Sequence, residues 1–148
     1  MLSIRTILHP TDFSELSLGA FQLACSLARD HGANIIVLHV YPPPLDRAEV
    51  LARGQPNGYE ESLWEELEKI KSNDPAVSIE YRLIEGFAAD EIVRSARENS
   101  ADLIVIGTHG RGGLRRAIMG SVAEGVLRGA WCPVLTVNAH VAAAKTAT

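Results

Sequence analysis

The sequence predicts an open α/β domain, a doubly wound parallel sheet with helices on both faces. Two kinds of hydrophobic period alternate along the 148 residues, short apolar runs giving way to stripes near 3.6 residues and back again. Five strand signals alternate with four helix signals, which calls for parallel strands joined by helical crossovers. Right-handed crossovers leave the doubly wound topologies. An apolar fraction of 47% in a chain of this length suits one domain able to bury its own core.

The elements follow in order. Ile4 to Leu8 reads as a short buried strand closed by His9-Pro10. From Ser14 to His31, the spacing of Ala20, Leu23, Ala24, Leu27 and Ala28 gives one helical stripe. Gly32 stands where a glycine ends a helix in the left-handed conformation. Asn34 to Val40 is a second apolar run, and residues 41–58, rich in proline and glycine, read as a loop. Leu63, Leu67 and Ile70 mark a helix from about Glu60 to Ser72. Val77 to Ile84 alternates apolar and polar residues, as a strand near a sheet edge does. Ala89, Ile92, Val93 and Ala96 define the next helix, and Leu103 to Ile106, uniformly apolar, is a central strand. Val122, Ala123, Val126, Leu127 and Ala130 form the last helix, and Pro133 to Val137 the last strand, with its proline tolerated at the start. Residues 1–138 thus form a single domain, and residues 139–148 a flexible tail without a core pattern.

Charge and cysteine usage exclude several classes. A net charge of −4 argues against a nucleic-acid surface, since such domains are usually basic. Cys25 and Cys132 have no metal-binding or disulfide spacing, and Cys132 before Pro133 reads as a small buried hydrophobe. No apolar run approaches the roughly 20 residues that span a bilayer, and the chain enters a strand directly, without a secretory leader pattern. A cytoplasmic protein without membrane partners is expected.

The stretch Asp102 to Ser121, DLIVIGTHGRGGLRRAIMGS, carries the chemistry. A buried strand ends in glycines at 107, 110, 112 and 113, and Gly120-Ser121 opens a helix. Glycines at a strand end let backbone N–H groups approach a ligand, and a helix N-terminus favours an anion such as phosphate. There is no GxxxxGK[ST] phosphate loop, no GxGxxG dinucleotide fingerprint and no HxGH signature. What remains is Gly107-x2-Gly110-x9-Gly120-Ser121 between a strand and an amphipathic helix. In doubly wound sheets ligands bind outside the carboxyl ends of the strands where strand order reverses, so the loops at 9–13, 40–44 and 107–120 are the candidates.

The pattern GTHGRGGLRRAIMGSVAEGVL followed by CPVLTV, with the opening ILHPTDFSELS, resembles the universal stress protein family from about Ile4 to Val137. The resemblance implies a Rossmann-like sheet of adenine nucleotide alpha hydrolase type in the order 3-2-1-4-5, and the ATP-binding branch of the family. Carried onto this sequence, it places Pro10, Thr11 and Asp12 after the first strand, with Asp12 near the ribose hydroxyls or a phosphate-bound Mg2+ or Mn2+. It uses main-chain groups at Val40 for the adenine edge. Ile106 and Gly107 lie beside the nucleotide, and Gly110, Gly120, Ser121 and Val122 hold phosphates and ribose. The triple proline after Tyr41 departs from the family and stiffens the adenine-side loop.

Plainer roles stand beside these. Asp12 also fits as a helix cap, as does Ser121. His109 reads as a loop residue touching phosphate rather than a catalytic base, because no carboxylate or nucleophile is near it in sequence. Of Arg111, Arg115 and Arg116, one is expected on phosphate, with Arg111 in the candidate set. His9 and His39 at strand ends read as core or rim residues rather than metal ligands. Three functions are open: a regulatory protein binding ATP, ADP or AMP, a slow ATP hydrolase with no evident catalytic residue, and a nucleotide-independent interaction protein. Val134 to Val137 would be a sheet edge, and pairing with the same strand of a second copy, which the resemblance also implies, would cover it.

Overall fold

The structure, a computed structural model, describes residues 2–45, 47–54, 56–108 and 120–138. The chain runs β1 (Thr6–Pro10), α1 (Glu15–His31), β2 (Asn34–Tyr41), α2 (Arg47–Ala52), α3 (Pro56–Glu68), β3 (Ser78–Glu85), α4 (Ala88–Glu98), β4 (Leu103–Gly107), α5 (Ser121–Gly129) and β5 (Val134–Val137). The five strands form one sheet in the order β3-β2-β1-β4-β5, and every pairing is parallel.

Alternation of residues along each strand sorts the core into two layers. On one face Ile7, Ile35, Val37, Leu103 and Val105 pack against Ala20, Phe21, Ala24 and Ala28 of α1, with Leu67 of α3. On the other, Leu8, Ile36, Leu38, Ile104 and Ile106 meet Ile92 and Ala96 of α4 and Ala123 and Val126 of α5. Continuous burial on both faces is why β1, β2 and β4 read as unbroken apolar runs. β3 lies at one edge, where its polar side chains alternate outward as expected. β1 occupies the middle of the sheet, and β4 is an interior strand beside it rather than the central one.

Gly32 closes α1 at φ 66° in the left-handed region, its N–H donating to the Ala28 carbonyl. β1 runs two residues further than its apolar pattern, taking in His9 and Pro10, because Pro10 pairs with Leu38 and gives up no ladder donor that the sheet requires. The largest departure falls in 41–58, which holds a six-residue helix and the first turn of α3 rather than a plain loop, giving five helices among the described residues. Pro56 does not break α3. It opens it, at the helix position whose N–H has no intrahelical partner in any case. Arg53 ties this excursion to the sheet: its guanidinium donates to the Pro42 carbonyl at 2.9 Å, pairs with Glu49 at 2.7 Å and lies over the Tyr59 ring. The Tyr41 hydroxyl donates to Glu60 at 2.6 Å. Residues 139–148, expected as a tail, lie outside the described residues.

α5 approaches α4 through two glycines, each facing an α4 side chain. A Cβ at Gly125 would stand 2.8 Å from the Ala89 Cβ, and one at Gly129 would stand 3.2 Å from Val93. Beyond these glycines Arg97 lies over the exposed ring of Trp131 at 4.1 Å. Among the described residues no helix is long and apolar enough to cross a membrane.

Candidate functional site

β2 and β3 lie on one side of β1, and β4 and β5 on the other, so strand order reverses between β1 and β4. The helices that follow these two strands, α1 and α5, pack on opposite faces of the sheet, the arrangement that opens a crevice in a doubly wound fold. The structure gives this crevice two walls built in different ways.

The first wall is the turn from β1 into α1. Pro10 and Thr11 are buried, and the Thr11 N–H donates to the Leu38 carbonyl at 2.8 Å, extending the β1–β2 ladder by one bond. The Thr11 Oγ1 accepts from the Phe13 N–H at 3.1 Å. Asp12 is half-buried; its N–H donates to the Ser17 Oγ at 3.2 Å, and its Oδ1 accepts from the Ser14 N–H at 3.0 Å. Helix α1 is capped by Ser14, whose Oγ accepts from the Ser17 N–H at 3.2 Å, so Asp12 is not the cap. Its carboxylate instead closes an Asx turn one step earlier. Phe13 sits at φ 66°, a left-handed conformation costing a residue with a Cβ of order 1–3 kcal/mol.

β2 supports this turn from behind. The His39 Nδ1 lies 2.8 Å from the Thr11 carbonyl, which can only accept, so Nδ1 carries the proton. The His39 and Phe13 rings are in contact, with centroids 4.3 Å apart. Val40, the next residue, is half-buried and paired with Ile84 of β3. Neither His39 nor Phe13 had a functional reading in the sequence; the signal available was a polar ring interrupting the apolar run of Asn34 to Val40.

The second wall is the end of β4 and the start of α5. Ile106 is buried, and Gly107 ends the strand. A Cβ at Gly107 would lie 3.2 Å from the Leu16 Cγ in α1, so this glycine is already needed for helix packing. Thr108, absent from the sequence reading, joins the wall to β5, since its N–H donates to the Val137 carbonyl at 3.0 Å. The carbonyl of Thr108 accepts from the Gly120 N–H, which brings the start of α5 against the end of β4. Gly120 occupies the cap position at φ −68° and ψ 155°, with no side-chain cap on the helix among the described residues, and Ser121 and Val122 in the first turn are exposed. Ser121 therefore lies inside the helix and does not cap it. His109, Gly110 and Arg111, with Arg115 and Arg116, fall outside the described residues.

Beneath the crevice His9 is fully buried against Phe21, and its Nδ1 donates to the Val105 carbonyl at 2.9 Å. Its Nε2 has no partner among the described residues. Burial drives its pKa down to about 4, outweighing the bond to Val105 and the charge of Asp12, so the ring is neutral at neutral pH. Cys25 and Cys132 are half-buried, and burial raises both thiols above their ordinary range, consistent with a packing role. Among the described residues no three His, Cys, Asp or Glu side chains converge as a metal cage.

Residues 3–138 match the sequence profile of the universal stress protein family. The chain belongs to that family. A universal stress protein of Methanocaldococcus jannaschii, MJ0531, is 37% identical over 90% of this chain and 82% of its own length. The solved structure of protein MJ0577, from the same organism, superposes with a TM-score of 0.82 at 29% identity, covering 92% of this chain and 96% of that one. A universal stress protein solved in complex with cAMP superposes with a TM-score of 0.69, also at 29% identity, over 91% of this chain and 97% of its own. The sheet order of this chain is that of the adenine nucleotide alpha hydrolase-like fold of these proteins.

Proposed function

We propose that this universal stress protein binds an adenine nucleotide, ATP, ADP or AMP, in the crevice between the β1 turn and the α5 N-terminus, and regulates partners through that occupancy. The observation that carries the reading is Gly120. Its backbone angles, φ −68° and ψ 155°, are open to any residue, and they nearly repeat those of Ser14, φ −75° and ψ 163°. The backbone does not require glycine at 120; a phosphate approaching the first-turn N–H groups of α5 does. The relative solved with cAMP supports an adenine nucleotide as the ligand class.

In this reading Asp12 faces the ribose or a Mg2+ or Mn2+ that arrives with the nucleotide. Its single carboxylate, with Oδ1 engaged by the Ser14 N–H, suits a hard cation that keeps phosphates and waters as its other ligands. Holding the nucleotide, not cleaving it, is the proposed role. The working unit is a cytoplasmic homodimer joined through the edge strand β5, which has β4 on one side only.

Thermal unfolding with and without Mg-ATP, together with mass analysis of nucleotide carried through purification, tests the proposal. ATP at about 100 times its Kd stabilises the fold by roughly 2.7 kcal/mol. Absence of any shift with ATP, ADP or AMP, and of any co-purified nucleotide, refutes it.

A further inference from the structure

We infer that His39 and Phe13 form a clamp that positions Asp12 for the nucleotide, an inference resting on the nucleotide reading above. Asp12 occupies a turn whose shape is set from outside itself. The residue after it is held in a left-handed conformation that phenylalanine does not adopt unaided. Within the turn the Phe13 N–H donates to Thr11 Oγ1 at 3.1 Å, and from β2 His39 adds two contacts, its ring against the Phe13 ring at 4.3 Å and its Nδ1–H donated to the Thr11 carbonyl at 2.8 Å. These contacts bracket Asp12, one on the residue before it and one on the residue after.

Asp12 ties the turn to α1, its N–H donating to Ser17 and its Oδ1 accepting from the Ser14 N–H, while the Thr11 N–H holds the start of the turn on β2 through the Leu38 carbonyl. The turn is thus anchored to α1 by Asp12 and to β2 at its start by the Thr11–Leu38 bond and beyond it by His39. Loss of the His39 contacts leaves Thr11 on β2 but lets Phe13 relax toward an extended or right-handed conformation, which swings the Asp12 carboxylate away from the crevice. His39 is a positioning residue here: it acts through the Thr11 carbonyl and the Phe13 ring and does not itself hold the ligand. It sits beside Val40 on β2, so the same strand end that supplies main-chain groups to the base also sets the carboxylate on the ribose side.

The test is titration calorimetry of the full chain with ATP in excess MgCl2, each variant melted in parallel. His39→Ala weakens binding about tenfold, the equivalent of one net hydrogen bond. His39→Asn recovers part of that loss, about threefold, because its amide nitrogen takes the place of Nδ1 while the ring contact with Phe13 stays lost. Phe13→Gly, which adopts a positive φ without strain but gives up the ring's packing on the core, stays folded with a lowered melting temperature and binds several-fold more weakly, having lost the contact with His39. In a double-mutant cycle, Asp12→Asn combined with His39→Ala binds no more weakly than Asp12→Asn alone, since the clamp acts through that carboxylate. A purely structural histidine gives the opposite pattern, with additive losses and no rescue by asparagine, and either result overturns the clamp. Affinity unchanged in His39→Ala overturns it as well and leaves nucleotide binding standing. Failure of the wild-type chain to bind ATP, ADP or AMP overturns both, and that is seen before any substitution is made.

Discussion

Helices α1 and α5 both begin at the carboxyl end of the sheet, one on each side of the strand-order reversal, with nearly the same backbone angles at their cap residues. They treat their free N–H groups in opposite ways. At α1 the protein supplies the acceptors: Ser14 caps the helix, Asp12 accepts from Ser14, and Ser17 accepts from Asp12. At α5 the cap is glycine, which has no side chain to turn back on the helix. In the proposed nucleotide site, self-sufficiency on one side frees the turn to present a carboxylate, while the glycine at the other helix end offers no acceptor of its own. A helix terminus becomes a ligand site through what its own sequence withholds, as well as through its dipole.

Substitutions can break or sharpen this contrast. Gly120→Val should have the largest effect: valine fits the backbone angles but fills the approach to the α5 N–H groups. ATP affinity measured by calorimetry falls about a thousandfold, or roughly 4 kcal/mol, with the fold retained by circular dichroism. Normal binding by that variant would mean that α5 does not hold the phosphates.

The α1 side carries a buried titrating group, and its signature is a pH dependence. His9 protonates at about pH 4 in the folded chain but at 6.5 when unfolded, so unfolding takes up a proton as acidity rises. The stability it contributes is complete above pH 6.5, erodes as pH falls and is lost below the folded pKa of about 4. Urea unfolding should show the wild type losing about 3 kcal/mol more than His9→Asn over that interval. Parallel pH profiles for the two proteins would sink this assignment.

Smaller effects separate the two caps directly. Ser14→Ala should cost about 1 kcal/mol in urea unfolding, with ATP affinity changed less than about threefold. Gly120→Ser should do the reverse, raising stability by a few tenths of a kcal/mol through a new cap while weakening ATP binding. If serine at 120 leaves affinity intact, the α5 terminus is not reserved for an anion, and the two helix ends are equivalent after all.

Much of the architecture was legible because burial on both faces writes itself as uninterrupted apolar runs. Ile35 to Leu38 and Leu103 to Ile106 announce interior strands in this way, and alternation along Ser78–Glu85 announces an edge. The excursion after Tyr41 was misread because proline was taken as a breaker, whereas Pro56 starts a helix. The end of β1 was placed short because a histidine and a proline hide a strand whose bonds are made by its neighbours.

For the candidate site, sequence spacing pointed to the turn after β1 and the connection into α5, but not to how the two helix starts are built. Asp12 was weighed as a cap, yet only the coordinates assign the cap to Ser14, two residues on. Gly107 was read for ligand approach, and its proximity to Leu16 is a contact between elements ninety residues apart that no local pattern encodes. His39 was read only as a core or rim residue and Phe13 was given no role, for the same reason: their meaning lies in a contact between a strand and a turn, not in any motif.

The meeting of Gly125 with Ala89, where an added Cβ would come within 2.8 Å of another, has an evolutionary consequence. Neither atom can rotate out of the way, so the two positions are free to drift only together. Alanine becomes admissible at 125 once 89 has become glycine, and lineages that reverse that order pass through a destabilised intermediate. Across descendants of this sequence the two sites should exchange their single methyl group rather than accumulate a second.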